Sequence, residues 1–197
     1  ETSPVVSCNP LDKIKVDTVG PIFPGVTVKL SEDGEILVKG ENLMLGYWNN
    51  LEATEQTIKD GWLYTGDIGE FDKDSYLKIT DRKKDIIVSL GGDNIAPSKL
   101  ENLLTLCPEI EQACVFGEQK NYIAALIILA NDSKFTKEDI QNYINEVNLN
   151  LTQPEKIKKF SFIDEPFTID NNLMTPTMKV RRHEVQKKYS EIIKQLF

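Results

Sequence analysis

Five charged residues in succession, Asp81-Arg82-Lys83-Lys84-Asp85, divide this sequence into two stretches of different pattern. Unpaired charges are costly to bury, so such a run lies at a surface. Upstream, to about residue 80, the pattern is that of strands and turns. Val26, Val28 and Leu30 alternate with Thr27 and Lys29, as a half-buried strand requires. Asp33-Gly34 supplies a turn, and Glu35-Ile36-Leu37-Val38-Lys39 resumes as a hairpin partner. A short helix is expected over Glu52 to Lys59 and a further strand over Tyr76 to Ile79.

Downstream the pattern is mixed. Ile86-Ile87-Val88 reads as a strand, and Gly91-Gly92-Asp93-Asn94 as a turn. Pro97 opens a helix carrying Leu100, Leu103 and Leu104. Ala113 to Phe116 and Tyr122 to Leu129 read as paired strands, and Phe160-Ser161-Phe162 as another. Thr136 to Asp139 resembles a capping box ahead of Ile140, Tyr143, Ile144 and Val147. Val185, Tyr189, Ile192, Ile193 and Leu196 define the inner face of a single final helix. The expected class is α+β: a small mainly-β subdomain over 1–80, a hinge over 81–85, and a compact α+β domain over 86–197.

Composition narrows the function. The 197 residues carry 23 Lys+Arg against 31 Asp+Glu, a net charge of −8, with 40% hydrophobic and 27% charged residues. That balance fits an ordinary folded chain of one domain or two small ones, and excludes a disordered acidic tail. Acidity argues against a general nucleic-acid binder, so no nucleic-acid partner is expected. The longest apolar run, Ile123 to Ala130, falls well short of the roughly 18–20 residues that cross a bilayer. The opening Glu-Thr-Ser-Pro lacks the features of a secretory signal. Cys8, Cys107 and Cys114 are odd in number and form no Cys-x-x-Cys, so neither a disulfide framework nor a zinc site is expected. Reduced thiols fit a cytoplasmic location. His183 is the only histidine, and its neighbours Arg182 and Glu184 read as a solvated helix face.

Three segments point to chemistry. Tyr64-Thr65-Gly66-Asp67 puts a carboxylate directly after a glycine. Such an Asp can accept from two vicinal hydroxyls, as a ribose offers; taken alone, four residues fit a plain turn much better. In the charged run, Arg82 could hold a hydroxyl or phosphate while the adjoining backbone rotates, although charge runs at joints are commonly solvated linkers. In Thr175-Pro176-Thr177-Met178-Lys179-Val180-Arg181-Arg182, three cations stand at the start of the final helix. There the macrodipole disfavours them unless an anion binds, although helices that merely begin with basic residues are common.

In order along the chain, these segments resemble the adenylate-forming superfamily of acyl-CoA synthetases, luciferases and carrier-protein adenylation domains. Glu1-Thr2-Ser3-Pro4 resembles the end of its Thr-Glu motif, and Gly34 to Gly40 with Gly46-Tyr47-Trp48 the next block. Trp62 to Asp67 resembles the ribose-binding motif, and Asp81 to Ile87 the interdomain hinge. Gly91 to Pro97 with Leu100-Glu101 resembles the block that follows. The ending Met174 to Arg182 is similar to that of the long-chain fatty acyl-CoA synthetase branch.

The resemblance implies a two-step reaction: a carboxylate attacks the α-phosphate of ATP to give acyl-AMP, and the thiol of coenzyme A then takes the acyl group and releases AMP. It implies that Asp67 binds the ribose hydroxyls, Arg82 contacts the ribose or phosphate, and Lys84 is the hinge pivot. Lys179 is implied as the catalytic cation on the α-phosphate, Gly91 and Gly92 as lining the pantetheine passage, and Glu1 as a ligand of Mg²⁺. Residues 1–80 then correspond to the end of the AMP-binding domain and 86–197 to a mobile C-terminal lid. The phosphate loop and acyl tunnel of the family lie upstream of Glu1. The resemblance therefore implies a piece of a longer enzyme, or the product of a split reading frame, inactive without that N-terminal part. Fatty acyl substrates add a peripheral membrane contact to the expected partners. Two other readings stand beside this one: a non-catalytic nucleotide-binding or interaction remnant, and an adenylation enzyme whose acceptor is a carrier-protein thiol.

Overall fold

A computed structural model gives the structure of residues 1–197. The chain forms two compact units, Glu1–Lys84 and Asp85–Phe197. The charged run is not one linker: Asp81 and Arg82 end a strand, and Lys83–Asp85 make one turn of 3-10 helix.

The first unit is a five-stranded antiparallel sheet with one short helix. Its elements are β1 (Val26–Leu30), β2 (Glu35–Gly40), α1 (Leu51–Thr57), β3 (Ile58–Lys59), β4 (Trp62–Phe71) and β5 (Leu77–Arg82). The ten-residue β4 is central. Leu63 pairs with Val38 of β2 and with Ile58 of β3, and Ile68 pairs with Glu35 of β2 and with Asp81 of β5. One edge of β4 thus carries β2, and the other carries β3 and then β5. The hairpin β1–β2 forms as its alternation predicts, with Val28 opposite Val38. The helix expected over Glu52 to Lys59 stops at Thr57, because Asp60 and Gly61 take positive φ (52° and 75°) and fold Ile58–Lys59 back onto β4.

The irregular segment before β1 is pinned from within. The Asn9 side-chain amide donates to the carbonyls of Lys15 (3.3 Å) and Thr18 (2.8 Å) and accepts from the Lys15 N–H (3.1 Å). Lys15 pairs with Asp72 and with Asp74 (2.6 Å), its ammonium 4.4 Å from the centre of the Tyr76 ring. Ile36, Val38 and Leu77 form the core beneath, with Val6, Val19, Val26 and Val28 packed around them.

The second unit contains β6 (Ile87–Val88), β7 (Asn94–Ile95), α2 (Pro97–Thr105), β8 (Ile110–Phe116), β9 (Ile123–Leu129), α3 (Lys137–Leu149), β10 (Ile157–Phe162), α4 (Arg182–Lys188) and α5 (Ser190–Gln195). The chain is therefore α+β, as expected. β9 is the middle of a three-stranded sheet, antiparallel to β8 and parallel to β10, and α3 makes the crossover that a parallel pair requires. Its side chains alternate between two cores. Ile123, Ala125 and Ile127 join Leu100, Leu104, Ile140 and Ile144 under α2 and α3; Ala124, Leu126 and Ile128 join Phe167, Val185 and Ile193 under α4 and α5. Burial on both faces is why this segment reads as an unbroken apolar run rather than an alternating one.

Thr136 caps α3 as the sequence indicates: its Oγ1 accepts from the Asp139 N–H (3.2 Å), and the Asp139 carboxylate accepts from the Thr136 N–H (2.7 Å). The final helix is two short ones, broken at Tyr189 (φ −105°, ψ 24°). The Tyr189 and Ile193 N–H groups still bond to Val185 and Tyr189, respectively, four residues back. The inner-face spacing of Val185, Tyr189, Ile192, Ile193 and Leu196 therefore survives the break. All three cysteines are free, Cys8 exposed and Cys107 and Cys114 buried. No helix is long and apolar enough to cross a membrane.

Leu126 is fully buried on β9. Leu126→Ala is expected to cost about 2–5 kcal/mol, the range for a core leucine that leaves a cavity. Hydrogen exchange of the β9 amides in the variant measures it; unchanged protection would contradict the two-sided core.

Candidate functional site

The site is built on a break in the regularity of β4. Between the pairs Leu37–Tyr64 and Glu35–Ile68, two steps along β2 face four along β4. The surplus is absorbed at Thr65-Gly66-Asp67. Gly66 has φ +70°, a left-handed value that only glycine takes at low cost. This corrects the plain-turn reading of the segment: Gly66 and Asp67 are a bulge inside a strand, and bulges re-aim side chains. The Thr65 hydroxyl fixes the result, donating to the Ile36 carbonyl (2.8 Å) and accepting from the Asp67 N–H (3.1 Å).

Asp67 lies opposite Arg82 of β5, and the Arg82 Nε donates to its Oδ1 at 2.8 Å. Both line a cavity of about 380 Å³ whose walls include Thr65, Ile79, Val6 and Glu1. Apolar side chains such as Val6 and Ile79 and the Asp67–Arg82 pair thus line one cavity, the mixed lining common to small-molecule sites. A carboxylate offers about four acceptor positions, so it can serve a guanidinium and a diol together.

Glu1 stands across this cavity. Its carboxylate accepts from the Tyr47 hydroxyl, and its backbone carbonyl accepts from the Met44 N–H (2.8 Å). The hydrogen bond to Glu1, and then burial, raise the Tyr47 phenol above its ordinary pKa. No three His, Cys, Asp or Glu side chains gather as a metal site. Mg²⁺ requires several oxygen ligands, and one carboxylate is all that Glu1 brings, so the residues present do not by themselves fit the metal.

Beneath the Asp67–Arg82 pair lies a group to which the sequence reading gave no role. Glu35 is 4% exposed at the start of β2. Its Oε1 accepts from the Gly66 N–H (2.9 Å), and its Oε2 from the Lys83 ammonium (2.9 Å). Lys83 also pairs with Asp33 at 2.6 Å. The signal for Glu35 was an acidic residue immediately ahead of the apolar run Ile36–Val38. Lys84, the expected pivot, is exposed on the 3-10 turn and is the last residue of the first unit.

The remaining expected residues lie on separate loops of the second unit. Gly91 and Gly92 are exposed between β6 and β7. Buried Ser89 organises that loop, accepting from the N–H groups of Gly91 (3.2 Å) and Asp93 (3.0 Å) and donating to the Asp93 carboxylate (2.9 Å). Gly92 has φ +88°, so the turn itself demands glycine there. Lys179 is exposed at the end of a tight reversal. Met174 bridges Val180, the Thr175 N–H donates to the Lys179 carbonyl (2.8 Å), and the Thr175 hydroxyl accepts from the Lys179 N–H (3.1 Å).

Two of the three cations stand at the helix start as expected, Arg181 at the N-cap of α4 and Arg182 as its first residue. Lys179 precedes α4, and Arg182 turns inward. Its guanidinium grips both carboxylate oxygens of Glu101 (Nη2 to Oε2 3.2 Å) and donates to the Val115 carbonyl (3.3 Å) and the Cys114 sulfur (3.3 Å). Glu101, rather than an external anion, compensates Arg182. Burial pushes the Cys114 thiol well above its ordinary pKa, so it stays neutral beside that pair.

Comparison with known proteins now decides the family. Residues 84–197 match the model described as the AMP-binding enzyme C-terminal domain. The chain belongs to the AMP-binding, adenylate-forming enzyme family. It is similar to the long-chain-fatty-acid–CoA ligase FadD15 of Mycobacterium bovis, 38% identical over all of this chain and 36% of that protein. It also resembles long-chain-fatty-acid–CoA ligase 5 of Mus musculus, 33% identical over 85% of this chain and 28% of that one. The chain thus spans about a third of the length of the curated relatives it matches. Among solved structures, an ATP-bound RpMatB–BxBclM chimera aligns with 97% of this chain and 40% of its own, at TM-score 0.78 and 25% identity. The O-succinylbenzoate coenzyme A synthetase of Bacillus subtilis, in complex with AMP, aligns with 87% of this chain and 36% of its own, at TM-score 0.70 and 28% identity.

Two surface ion pairs of the first unit are expected to give its stability a modest pH dependence. Hydrogen bonds from Lys83, and then Ser31, hold the Asp33 carboxyl down at about 2. Those from Lys15, and then the Tyr76 backbone, hold Asp72 at about 2. A lowered folded-state pKa gives stability that is complete above the unfolded value near 4 and lost as pH falls through the folded one. The urea midpoint of this unit, read from Trp48 and Trp62, is expected to fall between about pH 4 and pH 2. Asp33→Asn with Asp72→Asn should flatten that fall, and an unaltered slope would refute the assignment.

Proposed function

We propose that this chain forms part of an ATP-dependent long-chain fatty acid–CoA ligase. The observation that carries the reading is the Asp67–Arg82 pair, set by the bulge of β4 in the wall of a partly apolar cavity. The similarity to long-chain ligases and to ATP- and AMP-bound structures supports it.

In this proposal Asp67 accepts hydrogen bonds from the ribose hydroxyls of ATP, and Arg82 orients Asp67 and adds positive charge toward the phosphates. A fatty acid carboxylate oxygen attacks the α-phosphorus, a P–O bond breaks, and pyrophosphate leaves. Lys179 stabilises the charge that gathers on the α-phosphoryl oxygens. Its ammonium is a compact point charge on an exposed loop, suited to that task. In the second step the sulfur of coenzyme A attacks the acyl carbon, the thiol proton goes to solvent, and AMP leaves with the acyl–oxygen bond broken. The Ser89–Asp93 loop, with Gly91 and Gly92 presenting no side chains, is the proposed passage for the pantetheine arm. Lys84 is the proposed pivot between steps. Mg²⁺, whose usual chemistry with nucleotides is to neutralise phosphate charge, would need ligands beyond Glu1. The chain is proposed to be inactive until joined to the upstream part of the enzyme.

The test is reconstitution with that upstream part. The assembled protein is expected to make acyl-adenylate, and then thioester, from ATP, a long-chain acid and coenzyme A; an assembly that makes no adenylate sinks the proposal. Thioester appearing only on a carrier-protein thiol would assign the acceptor there instead. Lys179→Ala should lower adenylation at least 100-fold while sparing transfer from supplied acyl-AMP, and equal loss in both steps would remove Lys179 from its role. Lys84→Pro, which fixes φ, should slow transfer more than adenylation; equal slowing would rule out the pivot.

A further inference from the structure

The two residues proposed to hold the nucleotide are each positioned by the residue beside them in sequence, and both neighbours end on one buried carboxylate. Gly66, before Asp67, donates its N–H to Glu35 Oε1; Lys83, after Arg82, donates its ammonium to Oε2. Glu35 therefore spans the bottom of the Asp67–Arg82 pair as a clip, one oxygen on β4 and the other just beyond β5. A buried charge is retained only if it is paired and hydrogen-bonded. Here the Ser31 hydroxyl also accepts from the Glu35 N–H (2.8 Å), and Asp33 adds a second anchor for Lys83.

We infer that Glu35 is a positioning residue for the nucleotide pair and that its hold on Lys83 sets where the proposed hinge begins. Lys83 has two carboxylate partners on the hairpin turn and β2, whereas the next residue, Lys84, is exposed and has no ion pair. Rotation about Lys84 then leaves Lys83, and with it Arg82 and Asp67, in place. A glutamine at position 35 keeps an oxygen for Gly66 but loses the charge that holds Lys83. A leucine loses both. The two variants therefore separate the two halves of the role. The inference rests on the proposed function for the meaning of the pair, but the clip itself is a property of this chain.

Two measurements decide it. On this chain alone, trypsin can cut after Lys83 or after Lys84, and initial rates by mass spectrometry are divided by those of the same bonds in a peptide of residues 78–90. Cleavage after Lys84 is expected to exceed that after Lys83 at least fivefold, and Glu35→Gln or Asp33→Asn should abolish the difference. Equal normalised rates in the unaltered chain overturn the hold on Lys83. In the reconstituted enzyme, Glu35→Leu is expected to raise the KM for ATP at least fivefold, and Glu35→Gln, which keeps the Gly66 bond and loses the hold on Lys83, to raise it by a smaller factor. An unchanged KM in folded Glu35→Leu overturns the positioning role. Should Glu35→Leu fail to fold, Glu35→Gln carries the KM test: a KM for ATP equal to that of the unaltered enzyme overturns the positioning role. If the unaltered assembly makes no adenylate, the proposed function fails while the tryptic comparison still judges the clip.

Discussion

A carboxylate inside an apolar strand is an expensive object, and the first unit is arranged around the expense. Glu35 shares the buried stretch of β2 with Ile36, Leu37 and Val38. Its charge is tolerable only because a backbone N–H and an ammonium arrive from two different places. The N–H comes from a strand that must break its regular pairing to deliver it, and the break is what turns Asp67 toward Arg82. Local irregularity in β4, the reach of Lys83 and the geometry of the cavity wall are thus one solution to one desolvation problem. Breaking such a group by removing a single partner costs more than never having built it.

The second unit solves a different problem. A strand buried on both faces needs cover from both sides, and β9 obtains it from α2 and α3 on one side and α4 and α5 on the other. The covering elements carry the exposed loops. The reversal that presents Lys179 is stapled where it closes, by the Met174–Val180 bridge and by Arg182 sunk against Glu101. The ammonium is solvent-exposed and its backbone is held, which suits the role proposed for it on an incoming phosphate.

Much of this was legible in the sequence. Alternation exposed β1, the 3.6-residue period exposed α3 and its cap, and the unbroken apolar run exposed β9. The ordered segments around Asp67, Arg82, Gly92 and Lys179 carried the family. What was not legible depended on partners distant in the chain. Arg182 was read as part of a solvated helix face; its inward turn needs Glu101, 81 positions away, and no local pattern announces it. The bulge at Gly66 looks like a turn until β2 and β5 are placed on either side of it. The break at Tyr189 was invisible because it leaves the apolar spacing intact. Glu35 was read as one more strand residue, since its burial is decided by Gly66 and Lys83 rather than by its own surroundings.

The three thiols give the molecule an internal clock. Cys8 is open to reagents in solution, while Cys107 and Cys114 lie in the two cores on either side of β9. An alkylating probe therefore meets one sulfur at once and the others only when that unit breathes, each reporting on a different layer. For Cys114, the flanking guanidinium and carboxylate must part before the sulfur is reached. Its modification rate is thus a direct gauge of how often the base of the Lys179 loop comes undone.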